Sequence, residues 1–224
     1  MNSAVDSAAL RSELEAANER FEHAAPVEII RWTLERFPSL SVACSFEDLV
    51  LLHMVHEIDP DVEVLFLDTE AHFAETLEFA TRIEREWNLT LTRTNPVEGA
   101  EEWPCGSSQC CTFRKVRPLS RALAGRDAWL TSLKRVDSPS RAHAPVVSWD
   151  ETFGLVKVNP LVTWSDDDVA YYLHSHDLPE HPLWEKGYTS IGCAPVTLPP
   201  ASDGDRRSGR WAGSDKLECG LHQA

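Results

Sequence analysis

From position 40 onward, short apolar runs alternate with amphipathic stretches, and no other feature of the chain narrows its possible folds as much. Segments 41–44, 62–67, 90–94 and 128–133 are short and rich in Val, Leu, Phe and Thr, as strands are. Segments 49–56, 74–87 and 117–124 carry apolar residues at helical spacing. Strands that alternate with helices predict an α/β fold: a parallel twisted sheet with helices on both faces. Ligands of such sheets gather beyond the carboxyl ends of the strands. Segments 45–48, 68–70 and 134–141 fall at those ends. Segments 146–149 and 155–158 read as a hairpin-like pair. Thr163-Trp164-Ser165-Asp166-Asp167-Asp168 then supplies a helix cap and first-turn acids for a helix that runs to about His174.

The two ends differ from this middle. A polar, acidic helix is expected over 8–24, with Leu10, Leu14, Ala17 and Phe21 on one stripe, and Pro26 opens a second that stops near Phe37. The first helix is expected to be peripheral and available for contact in a homo-oligomer. Residues 195–214 are rich in Pro, Gly, Ser, Asp and Arg and read as a mobile arm. The expected division is therefore 1–38 as a helical segment, 39–195 as the α/β domain and 196–224 as the arm.

The 224 residues are 42% hydrophobic, enough for a core, yet no apolar run approaches the ~20 residues of a membrane span. No basic stretch followed by an apolar one opens the sequence, so a cytoplasmic protein is expected, with neither membrane nor nucleic acid as partner. Six cysteines in such a compartment serve catalysis or metal binding, or are idle, more often than they form disulfides. The formal net charge of −15 disfavours polyanionic surfaces. The cations are nonetheless concentrated. Eight Lys or Arg lie between Arg114 and Arg141 against two acids, and Arg206, Arg207, Arg210 and Lys216 follow near the end. An acidic chain with cations gathered in two patches fits a small anionic ligand.

Two cysteine motifs carry chemistry. In Glu218-Cys219-Gly220-Leu221-His222 a thiol lies almost at the chain end, among small and polar neighbours, with a histidine within reach. It is a candidate nucleophile for thiol exchange. In Cys110-Cys111-Thr112-Phe113-Arg114-Lys115 two adjacent cysteines precede cations, a combination suited to an anionic metal–sulfur centre, to which Cys193 could add a ligand. Paired C-x-x-C units, the commoner zinc signature, are absent. His53, His56, His174, His176 and His181 show no ligand spacing and are read as packing or surface residues.

Taken in order, these motifs resemble the assimilatory sulfonucleotide reductases, and within them the bacterial adenosine 5′-phosphosulfate reductases. The resemblance runs from about Ser41 to the end. It rests on Glu47-Asp48, Leu67-Asp68-Thr69, Cys110-Cys111 with Arg114-Lys115-Val116-Arg117, and Leu133-Lys134-Arg135 with Ser140-Arg141. It continues through Lys157-Val158-Asn159-Pro160-Leu161, Ile191-Gly192-Cys193-Ala194-Pro195, Arg207-Ser208-Gly209-Arg210-Trp211 and the terminal pentapeptide. The resemblance implies an ATP-pyrophosphatase-like fold. It implies that Cys219, with His222 beside it, attacks the sulfate sulfur, expels AMP and is resolved by thioredoxin. It places Lys115, Arg207, Arg210 and His222 on the phosphosulfate, Arg135 on the nucleotide, and Ser45, Asp48, Asp68 and Thr69 along the adenosine. It also implies a [4Fe-4S] cluster on Cys110, Cys111, Cys193 and a fourth cysteine, but that last position is Val196. Cys105 as substitute, a three-cysteine cluster, and a lost cluster all stand open. The runner-up activities are reduction of the 3′-phosphorylated nucleotide, whose branch His181-Pro182-Leu183-Trp184 echoes, and sulfonucleotide binding or iron sensing with weakened turnover.

Overall fold

The computed structural model describes residues 3–200, 206–212, 214, 216 and 218–221. Six strands form one sheet in the order β3-β2-β1-β4-β6-β5. They are β1 (Leu40–Ala43), β2 (Glu63–Leu67), β3 (Thr90–Thr94), β4 (Ala128–Leu130), β5 (Val147–Asp150) and β6 (Leu155–Val158). All neighbours are parallel except β5, which pairs antiparallel with β6 through the expected hairpin. The chain winds outward from β1 to β3 and then crosses back to β4. The crevice between the ends of β1 and β4 is therefore the topological switch point, where open α/β sheets bind ligands.

Strand alternation assigns the two faces. Val42, Leu130, Val156 and Val158 pack with residues of α2 (Pro26–Arg36), α3 (Val50–His56) and α7 (Asp166–Ser175). Val64 and Phe66 meet Leu49, Leu52, Phe79 and Ile83 from the start of α3 and from α4 (Ala74–Glu86). Their neighbours Leu65, Trp129 and Leu155 point the other way, onto Leu119 and Leu123 at α6 (Arg117–Ala122). Full burial of each such side chain stabilises by about 1.5–3 kcal/mol.

The N-terminal helix α1 (Ser3–Phe21) is not peripheral. Leu14, Ala17 and Phe21 are buried in the same cluster as β1, β4 and β6, and so are Ile29 and Ile30 of α2. Asn18 Oδ1 accepts hydrogen bonds from the backbone N–H of Val146 (2.7 Å) and Val147 (3.2 Å), so α1 covers the start of edge strand β5. A bare sheet edge is a liability, and this helix closes it. Leu14, Ala17, Phe21, Ile29, Ile30 and Phe37 of the N-terminal helical segment thus share the core of the α/β domain.

Among the described residues no helix is long and apolar enough to cross a membrane.

Candidate active site

Three strand ends build the crevice. After β1, Ser45-Phe46-Glu47-Asp48 has no glycine, yet Phe46 adopts φ +58°. That left-handed backbone costs a bulky residue on the order of 1–3 kcal/mol. Complete burial of the ring, edge-on to Phe66 at 5.3 Å, holds it there. Asp48 Oδ1 accepts the Val50 N–H at 3.1 Å at the entrance to α3, and burial pushes its carboxyl above the usual range. After β4, Thr131 donates to Asn159 Oδ1 (2.8 Å) and accepts the Leu133 N–H (3.3 Å), which turns the chain out of the sheet. The expected strand 128–133 therefore stops at Leu130, and Ser132-Leu133-Lys134 becomes pocket wall. The buried Lys134 and Arg141 share Asp137, each at 2.9 Å.

Two cavities meet in this crevice. One, of about 160 Å³, is lined by Lys115, Lys134, Arg141, Arg206, Arg207 and Arg210, against the carboxylates of Glu47, Asp48 and Asp137. The other, of about 130 Å³, has a largely apolar wall that includes Ala43, Leu65, Phe66, Leu67, Leu119 and Trp129. Ser45, His72, Lys115, Ser132 and Leu221 border both. A flat apolar slot that opens onto a cluster of cations has the polarity of a nucleoside joined to an anionic group.

The C-terminal segment closes the cationic cavity, with Cys219 in its wall. Glu218 anchors it: Arg141 donates to both carboxylate oxygens at 2.8 Å, Ser138 and Ser140 add contacts at 2.9 and 3.2 Å, and Arg207 lies at 3.4 Å. Burial acts to raise the Glu218 carboxyl, but the Arg141 contact and the charges of Arg141 and Arg207 outweigh it and hold it below the usual range. Leu221 packs on the Leu119–Trp129 cluster. Lys216 Nζ donates to the carbonyls of Gly106 (2.8 Å) and Ser107 (3.1 Å) and to Cys111 Sγ (3.1 Å). Further up the segment, Arg210 pairs with Thr197 in a short antiparallel bridge. Its guanidinium lies against Gly192, where an added Cβ would sit 2.2 Å from Nη2 and would push the guanidinium aside. Nη1 reaches Ser190 Oγ and the Ile191 carbonyl, both at 3.1 Å.

Beside this crevice lies a small cavity lined by Cys105, Cys110, Cys111 and Cys193, together with Arg114, Lys115, Val196 and Arg210. The local helix explains the grouping. Ser107 caps α5 (Ser108–Cys111) by accepting the Cys110 N–H at 3.0 Å. A π-helical stretch, Thr112–Val116, follows before α6. Such wide turns recur at functional sites because they re-aim side chains. Here Lys115 borders the cysteine cavity and both crevice cavities. Burial alone would lower its pKa; the nearby sulfurs of Cys219, Cys193 and Cys111 outweigh that and raise it, so it stays charged. The neighbouring Cys105 thiol, with the charge of Lys115 and the Thr69 hydroxyl, draws the Cys193 thiol below the usual range, while Cys105 itself is pushed up. Thr69 Oγ1 is 3.5 Å from Cys193 Sγ. Cys44, by contrast, is half-buried, and desolvation pushes its thiol up to about 12, which makes it a poor nucleophile.

Among the described residues no group of three or more His, Cys, Asp or Glu is arranged to hold a metal ion. An iron–sulfur cluster is a larger body than an ion, and the donor set here, four cysteines ringed by cations, suits one. Arg210 also presents a buried Nε with no partner among the described residues, a donor left over on the cysteine side of the crevice.

Of the residues expected at the site, Ser45, Asp48, Lys115, Arg207, Arg210 and Cys219 line the cationic cavity and Thr69 the apolar one. Asp68 lines neither; its carboxylate accepts the Glu70 N–H at 3.1 Å and shapes the loop. Arg135 turns away altogether. Its guanidinium pairs with Glu22, in the turn just after α1, and donates to the Ala144 carbonyl at 2.9 Å, so it lines neither crevice cavity. His222 lies outside the described residues. The structure adds Lys134, Arg141, Arg206 and Glu218 to the site: the first three belong to the basic clusters of the sequence, whereas the anchoring role of Glu218 gives no signal until the arm folds back. The histidines behave as packing residues: His53 Nδ1 meets the Tyr172 hydroxyl at 2.9 Å, and His56 stacks on Trp87.

Comparison with known proteins agrees with this geometry. The phosphoadenosine phosphosulfate reductase domain matches residues 38–199. The adenosine 5′-phosphosulfate reductase of Mycobacteroides abscessus is 42% identical over 223 residues, covering 95% of this chain and 94% of its own. That of Rhodococcus opacus is 42% identical over 221 residues, covering 90% of each. Among solved structures, the phosphoadenylyl-sulfate reductase of Candida auris in its phosphate complex superposes with a TM-score of 0.73 at 28% identity, over 84% of this chain and 97% of that one. With crevice, cations and terminal thiol in place, the chain belongs to the phosphoadenosine phosphosulfate reductase family.

Proposed function

We propose that this chain is an adenylyl-sulfate reductase that converts adenosine 5′-phosphosulfate to sulfite and AMP in sulfate assimilation. The observation that carries the reading is Cys219 in the wall of a cation-lined cavity that opens onto an apolar slot. Adenosine fills the slot, bordered by Ser45 and Thr69, and the phosphosulfate lies among Lys115, Arg207 and Arg210, with Lys134, Arg141 and Arg206 adding charge. His222 is assigned beside the sulfate from the motif it shares with Cys219.

The Cys219 thiolate attacks the sulfate sulfur. An S–S bond forms, the bridging S–O bond breaks, and its electron pair leaves on the AMP phosphate, whose charge the arginines neutralise. The product is an enzyme S-sulfocysteine. A dithiol protein, thioredoxin, then attacks Cys219 Sγ and expels sulfite as the leaving group. The mixed disulfide is resolved by the second thioredoxin thiol, which regenerates Cys219 and leaves oxidised thioredoxin, two electrons having passed to sulfur. A [4Fe-4S] cluster on Cys110, Cys111 and Cys193 would supply an anionic anchor against which Lys115 and Arg210 are held.

Cys219→Ser tests the reading. Sulfite release with thioredoxin should fall to background while AMP binding, by calorimetry, persists. A substrate-treated native sample should carry an added SO3 on the C-terminal peptide by mass spectrometry. Sulfite release by the variant at the native rate defeats the mechanism. Running the assay with the 3′-phosphorylated nucleotide as well assigns the preferred substrate.

A further inference from the structure

We propose that Cys105 replaces the cysteine missing at position 196, completing a four-thiolate set with Cys110, Cys111 and Cys193 for an iron–sulfur cluster. This rests on the cluster reading above. The position opposite Cys193 in the family's pattern is Val196, an apolar side chain that cannot ligate iron, and it lines the same cavity as the cysteines. Cys105 comes from elsewhere in the chain, on a turn five residues ahead of Cys110, and lines that same cavity beside Cys110, Cys111 and Cys193.

The turn is built for this approach. Ser107 N–H bonds to the Pro104 carbonyl at 3.1 Å, and Gly106 at φ +96° reverses the chain, a conformation that favours glycine. A Cβ at Gly106 would lie 3.0 Å from Val196 Cγ1, so the turn rests directly on the valine. Val196 therefore serves as the floor on which the Cys105 loop sits, and the missing sulfur is supplied from above it. Lys216, bound to the Gly106 and Ser107 carbonyls, holds the loop from the other side. Arg114, Lys115 and Arg210 line the cavity and offset the charge of four thiolates. Ligation replaces the Cys105 S–H bond by S–Fe, the proton leaving to solvent, with no change in the oxidation state of the sulfur.

The test measures iron and acid-labile sulfide per chain, with visible absorption and paramagnetic resonance, after anaerobic reconstitution of the full chain. The native protein should hold a four-iron centre. Cys105→Ala should lose the centre or one iron from it, with AMP binding and circular dichroism reporting that the fold survives. Cys105→Ala/Val196→Cys should restore the native iron content. A native centre that is unchanged in Cys105→Ala, and in the milder Cys105→Ser, overturns the inference but leaves a three-cysteine cluster standing. A native chain that takes up no iron overturns both.

Discussion

Glu218 pins the C-terminal segment to Arg141 and Arg207 with a carboxylate where a substrate anion is expected to compete, and replacing it by glutamine should free the arm. Glu218→Gln keeps the shape and one acceptor oxygen but removes the charge from a pair whose side chains are only 15% and 9% exposed. Cutting one partner of a buried, hydrogen-bonded ion pair costs about 3–5 kcal/mol. Arg141 retains Asp137 at 2.9 Å, and the glutamine oxygen still accepts from Ser138 and Ser140. These remnants reduce the loss to about 2 kcal/mol, which is about 30-fold in the docking equilibrium of the arm. The assay is alkylation of Cys219 in nucleotide-free protein near neutral pH, followed on the C-terminal peptide by mass spectrometry. Labelling should accelerate by up to that factor, and AMP should bind more tightly because Arg141 and Arg207 no longer face a carboxylate. The depressed pKa fixes the pH dependence: the latch is fully present above the ordinary value of 4.5 and is lost as pH falls through the lower folded value. An unchanged labelling rate would refute the assignment of Glu218 as the anchor.

Two further substitutions probe the scaffold. Phe21 is 1% exposed and meets Trp32 at 5.1 Å, so Phe21→Ala should destabilise the whole chain by about 3–5 kcal/mol in urea melts; a main transition that does not move would mean that α1 is peripheral after all. His181 is buried, accepts the Leu183 N–H on Nδ1 at 3.1 Å, and so shares its Nε2 proton with Thr76 Oγ1 at 3.0 Å. Burial lowers its pKa from 6.5 to about 4. A neutral, depressed histidine contributes stability above pH 6.5 that is lost as pH falls toward 4, about 3 kcal/mol at most. The urea midpoint of His181→Gln should therefore depend less on acid pH than that of the native chain, and equal slopes would remove histidine as the cause.

The strands and their order of appearance were legible because each apolar run ends at a polar residue that leaves the sheet, as Ala43 gives way to Cys44-Ser45 and Leu67 to Asp68. β4 ends earlier than the sequence predicts because Thr131 favours strands, and only its bond to Asn159, 28 residues later, draws it into a turn. The hidden parts share that non-local character. Arg135 sits among residues that do face the pocket, and its partner Glu22 lies 113 positions earlier. A polar acidic helix reads as peripheral, because the edge of β5 that Asn18 caps lies some 128 positions away in sequence. Nor does Phe46 advertise a left-handed backbone; the constraint comes from the ring's place in the core. Cys105 was noticed as a cysteine, but its nearness to Cys193 depends on Gly106 resting on Val196.

The ammonium of Lys216 ties the tail that carries Cys219 to the sulfur of Cys111. On the proposed mechanism, a tail that left to meet its reductant would take this cation with it, drawing a positive charge away from the Cys111 sulfur and baring the Gly106 and Ser107 carbonyls. Exposure of the sulfur cage to oxygen should then accumulate per catalytic cycle rather than per minute. Aerobic inactivation measured at rising substrate, with thioredoxin present, should scale with the number of turnovers; a loss governed by elapsed time alone would show that tail and cage move independently.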